Sequence, residues 1–274
     1  MPDAAALLAA LRPLARRGLL LAYSGGVDSA LLLAALARLR AEGPCSALAV
    51  TFTSPLHVPA EGREAAALAA QLGVPHRLLA CDVLANEAVA SNPPDRCYAC
   101  KHALFSQLRA LAEAEGLGVL LEGSHAGDAA AWRPGRRALA ELGVRSPLAE
   151  LGFTKAAIRA LARAWGLPVV DKPSAPCLAT RFPYGTRLTP GGLARVAAAE
   201  AALSRRCPHL APLRVRDHFP LARIEVAPEA FAALLACREA LVADLRALGY
   251  AFVTLDLAGF RSGSFDPPPA PPLS

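Results

Sequence analysis

Ser24-Gly25-Gly26-Val27-Asp28-Ser29 stands between an apolar run, residues 18–23, and a leucine-rich stretch, residues 30–39. The order reads as strand, glycine turn, helix. Paired glycines let the backbone turn tightly and approach a ligand closely, while N–H groups at a new helix N-terminus point outward with the positive end of the dipole. That is the layout of a phosphate site. The Walker pattern is excluded, since it needs Gly-Lys-Ser/Thr and no lysine stands in this turn.

Alternation continues outward from the turn: apolar 19–23, helix 30–40, apolar 47–53, helix 61–72, apolar 77–80, helix 101–115 and apolar 118–122. Strands alternating with helices predict an α/β fold, a doubly wound parallel sheet covered on both faces. Ligands in such sheets lie beyond the carboxyl ends of the strands. Tyr23, Thr53 and Glu122 fall at those ends, so the glycine turn, the corner Phe52-Thr53-Ser54 and the loop Gly123-Ser124-His125 should face one crevice. His125 reads as a polar loop residue rather than a catalyst.

Thr154 is placed to cap a helix running to Trp165, which Gly166 and Pro168 end. Residues 171–185 are too proline-rich for a regular element and read as a functional loop and domain boundary. Beyond them come helix 192–203, strands 213–217 and 221–226, helix 229–248 and strand 251–255, which predict a smaller C-terminal α+β domain. The expected organisation is a first domain over 1–183, a second over 184–265, and a disordered tail over 266–274, where five of nine residues are proline. No internal repeat is visible.

A chain of 274 residues has ample core and no need of disulfide staples. Seven cysteines make an odd count. Asp3 precedes the N-terminal Ala/Leu stretch, Arg12, Arg16 and Arg17 interrupt it, and no Ala-x-Ala-like cleavage site is evident, so the expected setting is the reducing cytoplasm. No apolar stretch approaches the roughly 20 residues of a membrane helix. The formal charge of +6 rests on scattered arginines with only Lys101, Lys155 and Lys172 as lysines, which favours small anionic ligands over a nucleic acid.

Cys97 and Cys100 form a Cys-x-x-Cys just before a helix, and Cys177 lies in the proline-rich loop. A structural zinc site wants four ligands, and a second pair is missing. Cys45, Cys81, Cys207 and Cys237 fall in or near predicted core elements and read as small apolar fillers. The three remaining thiols leave two options open: a redox pair plus a nucleophile, or a [4Fe–4S] cluster held by three irons with the fourth open to a ligand.

The glycine turn resembles the SGGxDS motif of the PP-loop pyrophosphatases, which cut ATP to AMP and pyrophosphate to adenylate a substrate. Every fixed position matches at the first strand-to-helix junction, which sets aside an ordinary glycine turn before a core helix. The resemblance implies that Ser24, Gly25, Gly26 and Ser29 hold the pyrophosphate, that Asp28 serves magnesium-bound ATP, and that Thr53 joins the nucleotide site. Where many PP-loop relatives carry Asp-Gly-Thr-Asn-x-Asp-Asp, this chain has Glu122-Gly123-Ser124-His125-Ala126-Gly127-Asp128, keeping only Gly123 and Asp128.

Cys177 within Pro-Cys-Leu-Ala-Thr-Arg-Phe-Pro-Tyr-Gly-Thr, then Arg214-Val215-Arg216-Asp217-His218, then residues 254–264 around Gly259-Phe260-Arg261, occur in family order with the glycine turn. Together they resemble the LarE family, ATP-dependent sulfur-insertion enzymes of nickel pincer nucleotide biosynthesis, over nearly the whole chain up to the tail. The resemblance implies adenylation of the carboxylates of pyridinium-3,5-biscarboxylic acid mononucleotide and their conversion to thiocarboxylates, for the cofactor of lactate racemase. Members divide between sacrifice of the cysteine matching Cys177 and a [4Fe–4S] cluster on three cysteines. With Cys97, Cys100 and Cys177 present, this sequence resembles the cluster branch, and the resemblance implies Cys177 and Asp28 as catalytic positions. Arg181, Arg214, Arg216 and Arg261 match positions near the substrate, where guanidinium forks suit phosphate and carboxylate, with Glu200 and Glu225 as weaker candidates.

The expectation is therefore an ATP-dependent sulfurtransferase, a homo-oligomer served by a sulfur donor, whose C-terminal domain binds substrate and oligomerises. A tRNA thiolation enzyme is the alternative, disfavoured by the lack of an RNA-binding module, an aromatic content of 5% and no concentrated basic face. A non-catalytic nucleotide-binding module ranks last, because it leaves the three cysteines without a role.

Overall fold

Apolar residues on every face of the stretch after the glycine turn demand a helix buried all round, and the fold is arranged about it. The computed structural model describes residues 2–129, 134–173, 176–208, 210–261, 263 and 265; the expected tail at 266–274 lies outside them. The chain runs α1 (Ala4–Ala15), β1 (Leu19–Ala22), α2 (Val27–Glu42), β2 (Ala47–Thr53), α3 (Pro59–Gln71), β3 (His76–Ala80), α4 (Glu87–Ala90), α5 (Arg96–Ala114) and β4 (Val119–Leu121). It continues through α6 (Gly135–Glu141), α7 (Pro147–Glu150), α8 (Lys155–Ala164), α9 (Pro190–Arg206), β5 (Leu213–His218), β6 (Leu221–Val226), α10 (Phe231–Ala236), α11 (Arg238–Ala247) and β7 (Phe252–Leu255). Two compact units result, Met1–Val89 with Asp95–Ala175, and Ala90–Pro94 with Pro176–Ser274.

Among the described residues, the first unit carries a four-stranded parallel sheet in the order β3, β2, β1, β4. Leu20 stands beside Leu48 on one side and Leu120 on the other. Strands covered on both faces need no polar alternation, which is why β1 and β4 read as unbroken apolar runs. The chain leaves β1 for β2 and β3, then returns to β4, so the order reverses between β1 and β4, where open α/β sheets form their crevice. In α2, Leu31, Leu32, Leu33, Ala34, Ala35 and Leu36 are all wholly buried. No described helix is long and apolar enough to cross a membrane.

The structure adds elements the sequence did not announce. Asp3, read only as a charge, caps α1 by accepting from the Ala6 N–H at 2.9 Å. Thr154 caps α8 as expected, accepting from the Ala157 N–H at 3.2 Å. Helix α5 begins at Arg96, not 101, because Pro93 and Pro94 end the preceding turn and the Tyr98 N–H closes on the Asp95 carbonyl at 2.8 Å. Cys97 and Cys100 therefore lie inside its first turns and, three residues apart, on one face.

In the second unit, β5 and β6 pair antiparallel and β7 joins β6 in parallel. Thr189 caps α9, accepting from Gly192 N–H at 3.1 Å, and Pro190 fills its first position, where a missing N–H costs nothing. Residues 90–94 belong here because the Asn92 side chain donates to the Pro183 carbonyl at 2.8 Å and the Leu188 N–H to the Ala90 carbonyl at 2.7 Å. The single helix expected over 229–248 is split at Cys237 into α10 and α11.

Since Leu33 has no solvent-facing route for relaxation, Leu33→Ala should lower stability by about 2–5 kcal/mol. The midpoint of urea unfolding measures it, and an unchanged midpoint would mean that α2 is not the packed centre of the unit.

Candidate active site

The glycine turn is closed by its own serines. Ser29 Oγ donates to the Gly26 carbonyl at 3.1 Å, lies 3.0 Å from Ser24 Oγ and accepts from the Ser24 N–H at 3.2 Å. Gly25 has φ = 76°, in the left-handed region that glycine alone enters without strain, and a Cβ there would come within 3.3 Å of Ala65. Gly26 is the N-cap of α2 and supplies no side-chain cap. The helix N-terminus thus presents backbone N–H groups and its dipole to a ligand. From β4, Gly123 presses onto the same turn: a Cβ would lie 3.0 Å from the Ser29 nitrogen. Its retention has a steric cause.

A cleft of about 570 Å³ opens beside this turn, lined among others by Ser24, Asp28, Thr53, Lys101, Glu122 and Asp128. The expected crevice is therefore present within the first unit. Its size suits a small molecule such as a nucleotide. Lys155 Nζ donates to both carboxylate oxygens of Asp28, at 2.8 and 2.6 Å. Sequence reading missed Lys155, though a signal existed. It is the first residue after the Thr154 cap, and a cation at a helix N-terminus opposes the macrodipole. Something other than helix stability sets its place, and the partner is 127 residues away.

Glu122, buried at the end of β4, accepts from the Ser124 N–H and Oγ, both at 2.9 Å, and from Ser146 Oγ, with Lys101 Nζ at 3.9 Å. The departure from the usual loop sequence is thus a satisfied carboxylate. Asp128 accepts from the His125 N–H at 3.0 Å, and His125 Nδ1 accepts from Gly127 N–H at 3.1 Å, which keeps the histidine engaged with its own loop. Across the cleft, Ser54 Oγ and His57 Nδ1 are 2.9 Å apart, and burial holds the His57 pKa below its ordinary value.

Cys97 is exposed and Cys100 half-buried on α5 of the first unit, while Cys177, half-buried, belongs to the second. Their turn is clamped by α6. Tyr98 OH donates to Glu141 at 2.7 Å, the Arg137 guanidinium lies 3.8 Å from the Tyr98 ring centre, and the Gly135 backbone approaches the Cys97 carbonyl. Among the described residues, no group of three or more His, Cys, Asp or Glu is gathered so that it could hold a metal ion.

The second unit assembles the expected arginines. Arg181, buried in the turn after Cys177, makes a two-pronged pair with Glu200 at 2.8 and 2.9 Å and donates to the Pro176 carbonyl at 2.8 Å. Arg216 pairs with Glu225 Oε2 at 2.7 and 2.9 Å and donates to the Thr180 carbonyl at 2.7 Å. Arg223 adds a contact to Glu225 at 3.1 Å. Arg214 donates to the Leu213 carbonyl at 2.6 Å and lies 5.3 Å from the Phe260 ring centre. Burial, with Arg181 and Arg216 close by, draws its pKa below the ordinary value against the pull of Glu200 and Glu225. Arg261 is exposed, and its carbonyl accepts from Arg216 at 3.3 Å. Glu200 and Glu225, the weaker candidates of the sequence, are the counter-ions that fix Arg181 and Arg216.

Comparison with known proteins bears on both units. Residues 2–131 match the model of the PP-loop domain. A pyridinium-3,5-bisthiocarboxylic acid mononucleotide synthase of Lactiplantibacillus plantarum is 38% identical over 259 residues, covering 94% of this chain and 92% of that protein. An uncharacterised protein of Synechocystis is 40% identical over 250 residues, covering 90% and 91%. Another, from Methanocaldococcus jannaschii, is 27% identical over 244 residues, covering 89% and 91%.

Removing Arg216 takes from Glu225, wholly buried, the guanidinium that meets its Oε2 at 2.7 Å. Arg216→Ala should therefore cost about 3 kcal/mol of stability. Calorimetry or urea unfolding of the purified variant reads this directly, and a loss below about 0.5 kcal/mol would return Arg216 to the solvated surface.

Proposed function

The chain belongs to the LarE family of PP-loop proteins, and on that premise we propose that it is an ATP-dependent sulfurtransferase acting on pyridinium-3,5-biscarboxylic acid mononucleotide. It adenylates the carboxylates of that substrate, releases pyrophosphate, and converts the acyl adenylates to thiocarboxylates for the nickel pincer cofactor of lactate racemase. The observation that carries this reading is the glycine turn at the open N-terminus of α2, with the Asp28–Lys155 pair at 2.6 Å beside the cleft. A bare carboxylate resists nucleophiles; when one of its oxygens attacks the α-phosphorus of ATP and pyrophosphate leaves, that oxygen becomes part of an AMP leaving group and the resistance is removed.

In this reading the α2 N–H groups, Ser24 and Ser29 receive the phosphates of ATP, and Thr53 lies along the nucleotide. Asp28 supplies the hard carboxylate oxygen that magnesium takes. Lys155, which neutralises Asp28 in the ligand-free protein, then turns its ammonium to the phosphate oxygens as charge accumulates there. Arg214 and Arg261 take the phosphate and carboxylates of the mononucleotide, while Arg181 and Arg216 act from within their ion pairs to hold the Leu178–Arg181 turn.

Thiolate sulfurs suit iron, and Cys97 and Cys100 offer two from one face of one helix turn, which supports a cluster by the chemistry of its donors. Cys97, Cys100 and Cys177 are the proposed ligands of a [4Fe–4S] cluster, which when bound supplies sulfide as the sulfur to be transferred. A sulfur donor renews it, and the enzyme works as a homo-oligomer in the reducing cytoplasm, its second unit binding substrate.

Two measurements test this reading separately. Asp28→Ala should abolish pyrophosphate release, and Lys155→Ala should reduce it by about 100-fold or more, with circular dichroism unchanged in both. Parental rates in both variants would mean that the adenylation site lies elsewhere. For the sulfur source, Cys97→Ala, Cys100→Ala and Cys177→Ala should each lose iron–sulfur absorption in anaerobic preparations while retaining pyrophosphate release. Dehydroalanine at position 177 after turnover, in protein that never carried iron, would replace the cluster with a sacrificial cysteine and leave adenylation standing.

A further inference from the structure

Two cysteines that the proposed reaction does not use face each other in the second unit. Cys207 Sγ and Cys237 Sγ are 2.7 Å apart, although the residues are separated by 30 positions. Cys207 is the C-cap of α9, its N–H bonded to the Leu203 carbonyl at 2.9 Å. Cys237 stands at the junction where α10 ends and α11 begins, and its carbonyl accepts from the Leu241 N–H at 3.1 Å. Both backbones are thus fixed by their helices. Beside them Arg206 of α9 pairs with Asp244 of α11 at 2.9 and 3.2 Å, which holds the two helices in register. The run 229–248 contains no proline, and its interruption falls at the cysteine that meets Cys207.

We propose that Cys207 and Cys237 form a reversible intramolecular disulfide that ties the end of α9 to the start of α11. A disulfide bond is about 2.05 Å long, so under about 1 Å of sulfur movement separates this pair from the bonded state. The oxidant is a small-molecule disulfide of the glutathione class. Cys237, the more exposed of the two, gives up its thiol proton, attacks one sulfur of the oxidant and expels a thiolate. Cys207 then gives up its own proton and displaces the second thiolate from the mixed disulfide. The protein loses two protons and two electrons, and the small disulfide takes them up to become two thiols. Burial, together with the neighbouring Cys237, holds the Cys207 pKa up at about 11, which suits it to the resolving step rather than to the first attack.

The bond would act on the arginine cluster through α9. That helix carries Glu200, which accepts from Arg181 and from the Val215 N–H at 3.0 Å, and Arg195, which pairs with Asp217 at 3.0 Å. An oxidised link at its C-terminus would restrain both.

The test is native incubation of the purified chain with oxidised glutathione, quenching with an alkylating agent, and a tryptic map without reductant. The expected result is a linked pair of peptides, 207–214 with 224–238, that dithiothreitol separates. Cys237→Ser should abolish the link without affecting pyrophosphate release. Recovery of the two peptides unlinked after oxidation, whether alkylated or each carrying glutathione, would overturn the proposal and return both residues to packing.

Discussion

A helix buried on every face can offer a ligand only its ends, and that constraint organises the first unit. With Leu31 to Leu36 enclosed by sheet and helices, the central turns of α2 have no lateral surface left for chemistry, and its last turns, from Ala37 on, reach solvent. Its N-terminus, emerging after β1 where the strand order reverses, projects dipole and N–H groups into the cleft. The glycines follow from the same crowding. Gly25 carries the positive φ that turns strand into helix, and Gly123 lets the β4 loop come up against Ser29. A side chain at either position would push apart the walls that define the site.

Charge in the two units is managed differently. Around the cleft, Asp28 and Lys155 neutralise each other across 127 residues with each side chain still partly exposed to solvent. In the second unit, Glu225 is wholly buried against Arg216, and Arg181 is buried against Glu200. Pairs that deep are costly to separate and therefore fix geometry. They hold the turn after Cys177 through the Pro176 and Thr180 carbonyls, to which Arg181 and Arg216 donate.

The parallel sheet and the glycine turn were legible because their signals are local and periodic. Apolar runs bounded by helices specify βα units, and β2 and β6 fall where the sequence placed them, at Ala47–Thr53 and Leu221–Val226. Helix boundaries were less legible. The start of α5 is set by Pro93, Pro94 and a buried Arg96 rather than by its apolar period, and the break at Cys237 falls in a run without a proline. The nucleotide motif was readable at Ser24–Ser29, yet Lys155 was not, since a single lysine after a threonine cap gains meaning only from the carboxylate it meets.

The sequence by itself determined the α/β alternation, the glycine turn at the first strand-to-helix junction, and the family. These are properties of residue type and short spacing, which survive without coordinates. Only the tertiary structure decided which charges meet: Lys155 with Asp28, Arg181 with Glu200, Arg216 with Glu225, and the thiol of Cys207 with that of Cys237. Such pairings join segments from 9 to 127 residues apart, and no local preference encodes them, because the energy that selects a partner comes from burial and packing established by the whole fold.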